Sequence, residues 1–408
     1  MASTRNIKCA CCPNVPEPSH SREEPTVGLT EEEMVWSDGK HTQITSPDVI
    51  KYLDTHLQTD HVVVEKLATN YGCCSSFRIL SDEGIRAMDL AVASIEKYAV
   101  SCPRIPKVLR GGTFRSKFLN GMAHSEAVLR HVSQLAGCEM IYHPMKIQQL
   151  HINFKPDDDS TDKKNIDRWH CDTTPFVLIV FATDPDEYTG GQLQYFEGTR
   201  EEGMQLLGSG AGLPKNRVLD VGRQSKGYGV FMQGWRVFHQ VTPVLSGNAR
   251  TTLVYSFQPR NVLALEACQH LSQGYNKVDP LDIFLSDWAR YRAWKTAMRM
   301  ELCQEHCQSA LESNAALREA VAQCGQLMCA IVQTLPYSDN RQLMQSILEA
   351  AVAPLRAKLS ELELDLDLLG KDFEVSPYGL ENLKMAVVDI DNSVQDILTL
   401  KDTTMVYF

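Results

Sequence analysis

At 408 residues, 43% apolar and 22% charged, the chain is long enough for one large domain with an appendage or for two domains, with a composition ordinary for a soluble globular protein. A net charge of −11 argues against a general nucleic-acid binder. No apolar run is long enough to cross a bilayer and MASTRNIKCACCPNVPEPS lacks a signal-peptide core, so a cytoplasmic protein with neither nucleic-acid nor membrane partners is expected.

Residues 1–45 are rich in Pro, Ser and Glu without periodicity and read as a disordered or loosely attached arm. The cysteines total 13, an odd number scattered mostly through apolar segments as free thiols are. Cys9, Cys11 and Cys12 cluster but lack a second ligand pair at finger-like spacing, which favours a tail without a metal. The texture changes at Ser46, and residues 46–278 read as one domain. SPDVIKYLDTHL predicts a helix from its cap residue and early proline. FRIL predicts a short strand, SDEGIRAMDLAVASIEKYAV a helix capped by Ser81, and SEAVLRHVSQLAG a helix ended by Gly137.

Short β-like runs follow: KIQQLHINF, PFVLIVFAT, GGQLQYFEG, NRVLDV, GYGVFMQG and RTTLVYSF. Asp184-Pro185-Asp186 and Gly190-Gly191 supply turns between them. Strands after a helical lead-in predict an α+β fold, a jelly roll or small barrel backed by helices. Residues 279–408 predict a helical region, nearly continuous from residue 281 and followed by helices near 341–369 and 377–400. Cys303 and Cys307 share a helix face and read as core filling. Leu380, Leu383, Val387, Ile390, Val394 and Ile397 form a lengthwise seam. An intramolecular bundle is its plainer reading and a homodimer through these helices the sharper one.

DRWHCDTTPF places His170 and Asp172 two residues apart, on one side of an extended segment. Alone, such a pair is weak. His239 follows among large apolar residues, just before the turn-rich TPVLSGN. Arg250 then opens an apolar strand on which Arg250, Thr252 and Val254 share one face, and Thr251, Leu253 and Tyr255 the other. An arginine pointing into a barrel needs a carboxylate, because an unpaired buried guanidinium is costly. A ligand can supply it, and the planar fork of arginine suits a bidentate carboxylate, with the Thr252 hydroxyl beside it. Two histidines and one carboxylate make a facial triad whose open positions suit non-haem Fe(II) and oxygen.

With these residues together, the chain resembles the Fe(II)/2-oxoglutarate-dependent dioxygenase superfamily over about residues 146–260. WHCDTTPFVLIVFATD, GGQLQYF, GYGVFMQGWRVFHQVTPV and NARTTLVYSFQPR follow that family's order. LRGGTFRSKF, HPMKIQQLHIN and the WHxDS/T-PFV start resemble fungal-type members in particular. The resemblance implies a double-stranded β-helix (jelly-roll) core with N-terminal supporting helices and a C-terminal helical extension. It implies His170, Asp172 and His239 as catalytic iron ligands, and Arg250 with Thr252 holding the distal carboxylate of 2-oxoglutarate. O2 would be the second cosubstrate, with ascorbate assisting. Thr252 stands where serine is more frequent. Asp172 is present, whereas halogenase variants lose that carboxylate to make room for halide.

The implied reaction forms succinate and CO2 while oxidising a small organic substrate, an amino-acid-like or specialised metabolite, by hydroxylation, desaturation or ring closure. For the substrate pocket, Gln149, His151 and Asn153 are expected on one strand face, with a solvated face as the plainer alternative. Arg110 and Arg115 lie in a Gly-rich loop and suit a carboxylate or phosphate, or equally the surface. Trp169 and Trp235 flank the metal-binding segments, where a pocket wall competes with core packing. Three other readings stand beside this one: a protein hydroxylase docking its partner through the C-terminal helices, a non-catalytic jelly-roll binding protein, and a cupin-type metal enzyme. The last usually carries more histidines and no carboxylate-gripping arginine.

Overall fold

The computed structural model describes residues 35–101, 105, 107–155, 166–222, 224–247, 250–262, 264–265, the helix Leu281–His306 and scattered positions beyond it. The Cys9–Cys12 cluster, Cys307 and the seam from Leu380 to Ile397 lie outside the described residues, as does the Cys303 side chain.

In chain order the strands are β1 (Ile50–Tyr52), β2 (Tyr71–Cys74), β3 (Phe77–Arg78), β4 (Val108–Arg110), β5 (Met140–Tyr142), β6 (Leu150–Phe154), β7 (Asp167–His170), β8 (Phe176–Phe181), β9 (Tyr188–Gly190), β10 (Leu193–Phe196), β11 (Val218–Asp220), β12 (Tyr228–Met232), β13 (His239–Val241), β14 (Val244–Gly247) and β15 (Thr251–Pro259). A large sheet runs β1-β2-β12-β8-β15-β6-β4, with β3 on β12 and β5 on β15. A smaller sheet runs β11-β10-β13-β7, and β9 pairs with β14. The described ladders are all antiparallel.

Period-two alternation sorts the large sheet into two cores. Leu253, Tyr255 and Phe257 of β15 join Leu150, Ile152 and Phe154 of β6 and Leu178 and Val180 of β8 in a cluster with the helices. Those helices are Asp82–Ile95, Lys117–Met122 and Glu126–Ala136. Val254, Ile179, Phe181, Val230 and Met232 point the other way, into a second cluster with Leu193, Tyr195 and Val241 of the small sheet. The result is an α+β jelly roll: two facing antiparallel sheets enclosing one core, with helices on the outer face of the larger.

The helix starts follow local chemistry. The hydroxyls of Ser81 and Ser125 accept the Gly84 and Val128 N–H groups at 3.0 and 3.2 Å. Gly137 closes the second helix in the left-handed region, at φ 70°. SPDVIKYL is not helical. Ile50 and Lys51 pair with Cys74 and Cys73, so the segment forms an edge strand. Lys146–Gln149 is one helical turn rather than the start of β6. Its Ile147 N–H donates to the Asp287 carboxylate at 3.0 Å, a bond made by the helix Leu281–His306. No helix among the described residues is long and apolar enough to cross a membrane.

Candidate active site

Strands β7 and β13 lie side by side in the small sheet with His170 and His239 directly opposite each other. Opposite residues of an antiparallel ladder project to the same face, and the two imidazole centroids stand 4.2 Å apart. The preceding residues project to the other face, where Trp169 stacks on Phe238 at 5.3 Å. That stack fixes the ladder from behind. Trp169 therefore supports the histidines rather than lining their pocket.

Each imidazole is oriented by its own strand. Nδ1 of His170 donates to the Arg168 carbonyl at 2.6 Å, and Nδ1 of His239 to the Val237 carbonyl at 2.9 Å. A carbonyl only accepts, so Nδ1 of each ring carries a proton and Nε2 is the nitrogen turned toward a metal. Asp172 follows β7, with its N–H donating to the Gly234 carbonyl at 2.9 Å. Its Oδ1 is 3.3 Å from Nε2 of His170, and its Oδ2 is 3.8 Å from Nε2 of His239. The three donor atoms lie within 4.8 Å of one another. Neighbouring donors around an ion with bonds of about 2.1 Å stand about 3 Å apart, so this group closes on one ion with small shifts. Burial, helped by His170 and opposed by Asp172, pushes the His239 imidazole down to about 4, which keeps it neutral and ligand-ready at pH 7.

Gly234 makes this approach possible. A Cβ there would run into Asp172 Oδ2. The sequence carries no local sign of that role, because the contact joins segments far apart in the chain.

Thr252 lies on the inner face of β15, on the side of Val254, and Arg250, just before the strand, turns to the same side. Arg250 is 1% exposed, and its Nε donates to the Gly191 carbonyl at 2.9 Å. Its Nη1 donates to Thr252 Oγ1 at 3.3 Å, while Nη2 is buried without a partner among the described residues. Burial draws the guanidinium down to about 10, with Tyr188 and Asp167 supporting its charge. It stays cationic at pH 7. Gly191 sits at φ 61°, and a Cβ there would press on Arg250 Cδ and Tyr188, so the Gly190-Gly191 turn gives the arginine its slot.

His151 and Asn153 share the face of Thr252 and Val254, since Thr252 opposes Asn153 and Val254 opposes His151. Arg110 opposes His151 from β4, and its Nη2 donates to Gln148 Oε1 at 2.7 Å. Gln149 ends the helical turn before β6 and is buried, its Oε1 without a partner among the described residues. Arg115 is not brought to this face. Its guanidinium lies 4.2 Å over the Tyr98 ring, and Tyr98 packs on the helix-side core. Trp235 is buried in the inner cluster and lines a small cavity with Pro175, Gln233 and Asn261.

The helix Arg200–Gly208, which the reading above left unassigned, braces the segment before His239. Arg236 forks onto Glu201 at 3.0 and 3.2 Å, and Arg200 Nη1 donates to the Trp235 carbonyl at 3.2 Å. Its start was legible: Thr199 caps Glu202, which lies three residues on, at 3.0 Å.

A family model described as Halogenase D matches residues 88–274, which span the described strands from β4 to β15. No curated protein matches the chain in sequence. Among solved structures the chain is similar to a prolyl-4-hydroxylase from Pseudomonas putida, at 16% identity over 48% of this chain and 97% of that one, with a TM-score of 0.33. It is similar to HygX from Streptomyces hygroscopicus with nickel and 2-oxoglutarate bound, at 13% identity over 43% and 78% of the two chains, TM-score 0.31. A third likeness is to AviO1 from Streptomyces viridochromogenes, at 14% identity over 50% and 96%, TM-score 0.34.

Proposed function

We propose that this chain is a non-haem Fe(II)- and 2-oxoglutarate-dependent dioxygenase that oxidises a small organic substrate in the cytoplasm. The observation that carries the reading is the pairing of a closed His-Asp-His donor group with a buried arginine on the inner face of the jelly roll. The donor set is two imidazoles and one carboxylate, which suits Fe(II) and leaves positions for other ligands. The orphaned Nη2 of Arg250 suits one end of a dicarboxylate. Both groups therefore fit this chemistry on grounds internal to the chain. With iron and 2-oxoglutarate bound, the site would supply oxidative decarboxylation to succinate and CO2 coupled to substrate oxidation, with O2 as the oxidant and ascorbate as an aid.

The residues then divide the work. His170, Asp172 and His239 would hold the metal, with the backbone carbonyls of Arg168 and Val237 orienting both rings through Nδ1. Arg250 and Thr252 orient the cosubstrate. The apolar inner cluster, with Ile179, Val230 and Val254, keeps bulk water from the reacting centre. Arg110 and His151, neighbours on the inner face, are our candidates for the substrate's polar groups. The matched family model carries a halogenase name. Asp172 favours oxygenation instead, because its carboxylate would serve as a ligand that the resemblance says halogenase variants give up for a halide.

The test is anaerobic titration of the purified chain with Fe(II) and then 2-oxoglutarate, following the visible metal-to-ligand charge-transfer band. We expect the band in wild type and its loss in His170→Ala. An iron-loaded wild type that forms no band would overturn the reading.

A further inference from the structure

We infer that Asn153 is a third member of the cosubstrate clamp, directing its amide at the same distal carboxylate that Arg250 and Thr252 hold; this rests on the dioxygenase reading above. From sequence alone it is expected to face the substrate. The sheet register argues for a different assignment. Asn153 on β6 is directly opposite Thr252 on β15. Residues so placed project to one face with Cβ atoms about 5 Å apart, within reach of a single carboxylate group.

The rest of that row is apolar. Val108 lies beyond Asn153 and Phe181 beyond Thr252, at 0% and 1% exposure. Asn153 is itself only 4% exposed, and its Oδ1 is buried without a hydrogen-bond partner among the described residues. A buried amide in such a row is costly unless something completes it. The neighbouring Arg250 Nη2 is buried and likewise without a partner. Thr252 thus has one unsatisfied group beside it along its strand and another opposite it across the ladder, which suits a shared polar guest. The amide presents its NH2 to a carboxylate by a half-turn about its terminal bond, which alters its shape very little. Thr252 Oγ1 accepts from Arg250 Nη1 and so has its own proton to donate to the same oxygens.

The experiment compares wild type with Asn153→Leu, a near-isosteric change. Fe(II)-loaded protein is titrated anaerobically by calorimetry with 2-oxoglutarate and, separately, with pyruvate, which has the keto acid but no distal carboxylate. The melting temperature of metal-free protein is measured alongside. We expect the leucine variant to bind 2-oxoglutarate about tenfold more weakly or worse, the factor of one charge-assisted hydrogen bond. Pyruvate affinity should be unchanged and the melting temperature level or higher, since a buried unsatisfied amide has been removed. An unchanged 2-oxoglutarate affinity overturns the inference. So does an equal loss for both keto acids with a lowered melting temperature, which is the mark of a packing role. If wild type fails to bind 2-oxoglutarate, the dioxygenase reading falls and this inference with it. If wild type binds and the variant matches it, only the role of Asn153 falls.

Discussion

The candidate metal group depends on one missing side chain as much as on three present ones. Asp172 reaches the space between the imidazoles because residue 234 carries no Cβ. Gly234→Ala should therefore push the carboxylate aside and lower Fe(II) affinity about 10- to 100-fold, the size usual for disturbing a ligand's support. The histidines should be unaffected, since the Trp169–Phe238 stack holds their ladder from the far side. Calorimetry with Fe(II) or Ni(II) reads this directly, and an alanine variant with wild-type affinity would show that Asp172 has another route to the metal. A comparable change at the other end of the site is Arg250→Lys. It keeps the charge but loses the fork and the Nε bond to Gly191, so the 2-oxoglutarate concentration giving half-maximal turnover should rise at least tenfold.

Among the elements, the turn Lys146–Gln149 and the helix Leu281–His306 are coupled through Asp287. Burial raises the Asp287 carboxyl to about 7, while the Ile147 N–H, Arg290 and Lys146 pull the other way. A carboxyl raised on folding holds its proton in the folded chain and loses it near pH 4 in the unfolded one. Its contribution to stability is thus fully present below about pH 4 and is lost as pH rises through 7. Asp287→Asn keeps an acceptor for Ile147 and lacks this slope. The wild-type melting temperature should fall relative to the variant between pH 5 and pH 8, and parallel curves would contradict the buried placement. The same bond explains what the sequence conceals here. KIQQLHINF reads as one strand, but its first four residues are drawn into a turn by a carboxylate 140 positions along. SPDVIKYL is misread for a related reason, since its partner strand around Cys73 and Cys74 outweighs a good local helix start. What alternation or capping sets locally, such as Arg250 and Thr252 on one face or Ser81 and Ser125 at helix starts, is legible. Gly191, Gly234 and the brace from Glu201 to Arg236 are not, because each is defined by a contact between distant segments.

At the scale of the molecule, the jelly roll does not end where the strands do. A boundary at 278 would separate the helix from the turn it holds. In that helix Phe284, Trp288, Tyr291 and Trp294 are at most 2% exposed. Tyr291 lies 5.2 Å from the buried His143, and Trp288 and Trp294 flank it at 6.0 and 6.3 Å. Losing one such aromatic to alanine costs about 3–5 kcal/mol, and a whole domain commonly has only about 5–15 kcal/mol of stability. A chain ended after Val278 is accordingly expected to aggregate or to melt without a cooperative transition, read by size-exclusion chromatography and calorimetry. A soluble, cooperatively melting truncation would mean that the helix is an accessory. The metal group and the buried arginine are expected to work as one site. The most direct test is succinate formation by the full chain with Fe(II), 2-oxoglutarate, O2 and ascorbate, beside His170→Ala and Arg250→Ala. We expect slow turnover without added substrate, none in His170→Ala, and turnover in Arg250→Ala only at much higher 2-oxoglutarate. An iron-loaded wild type that binds 2-oxoglutarate yet forms no succinate, with or without candidate substrates, would contradict the dioxygenase reading and leave a jelly-roll binding protein.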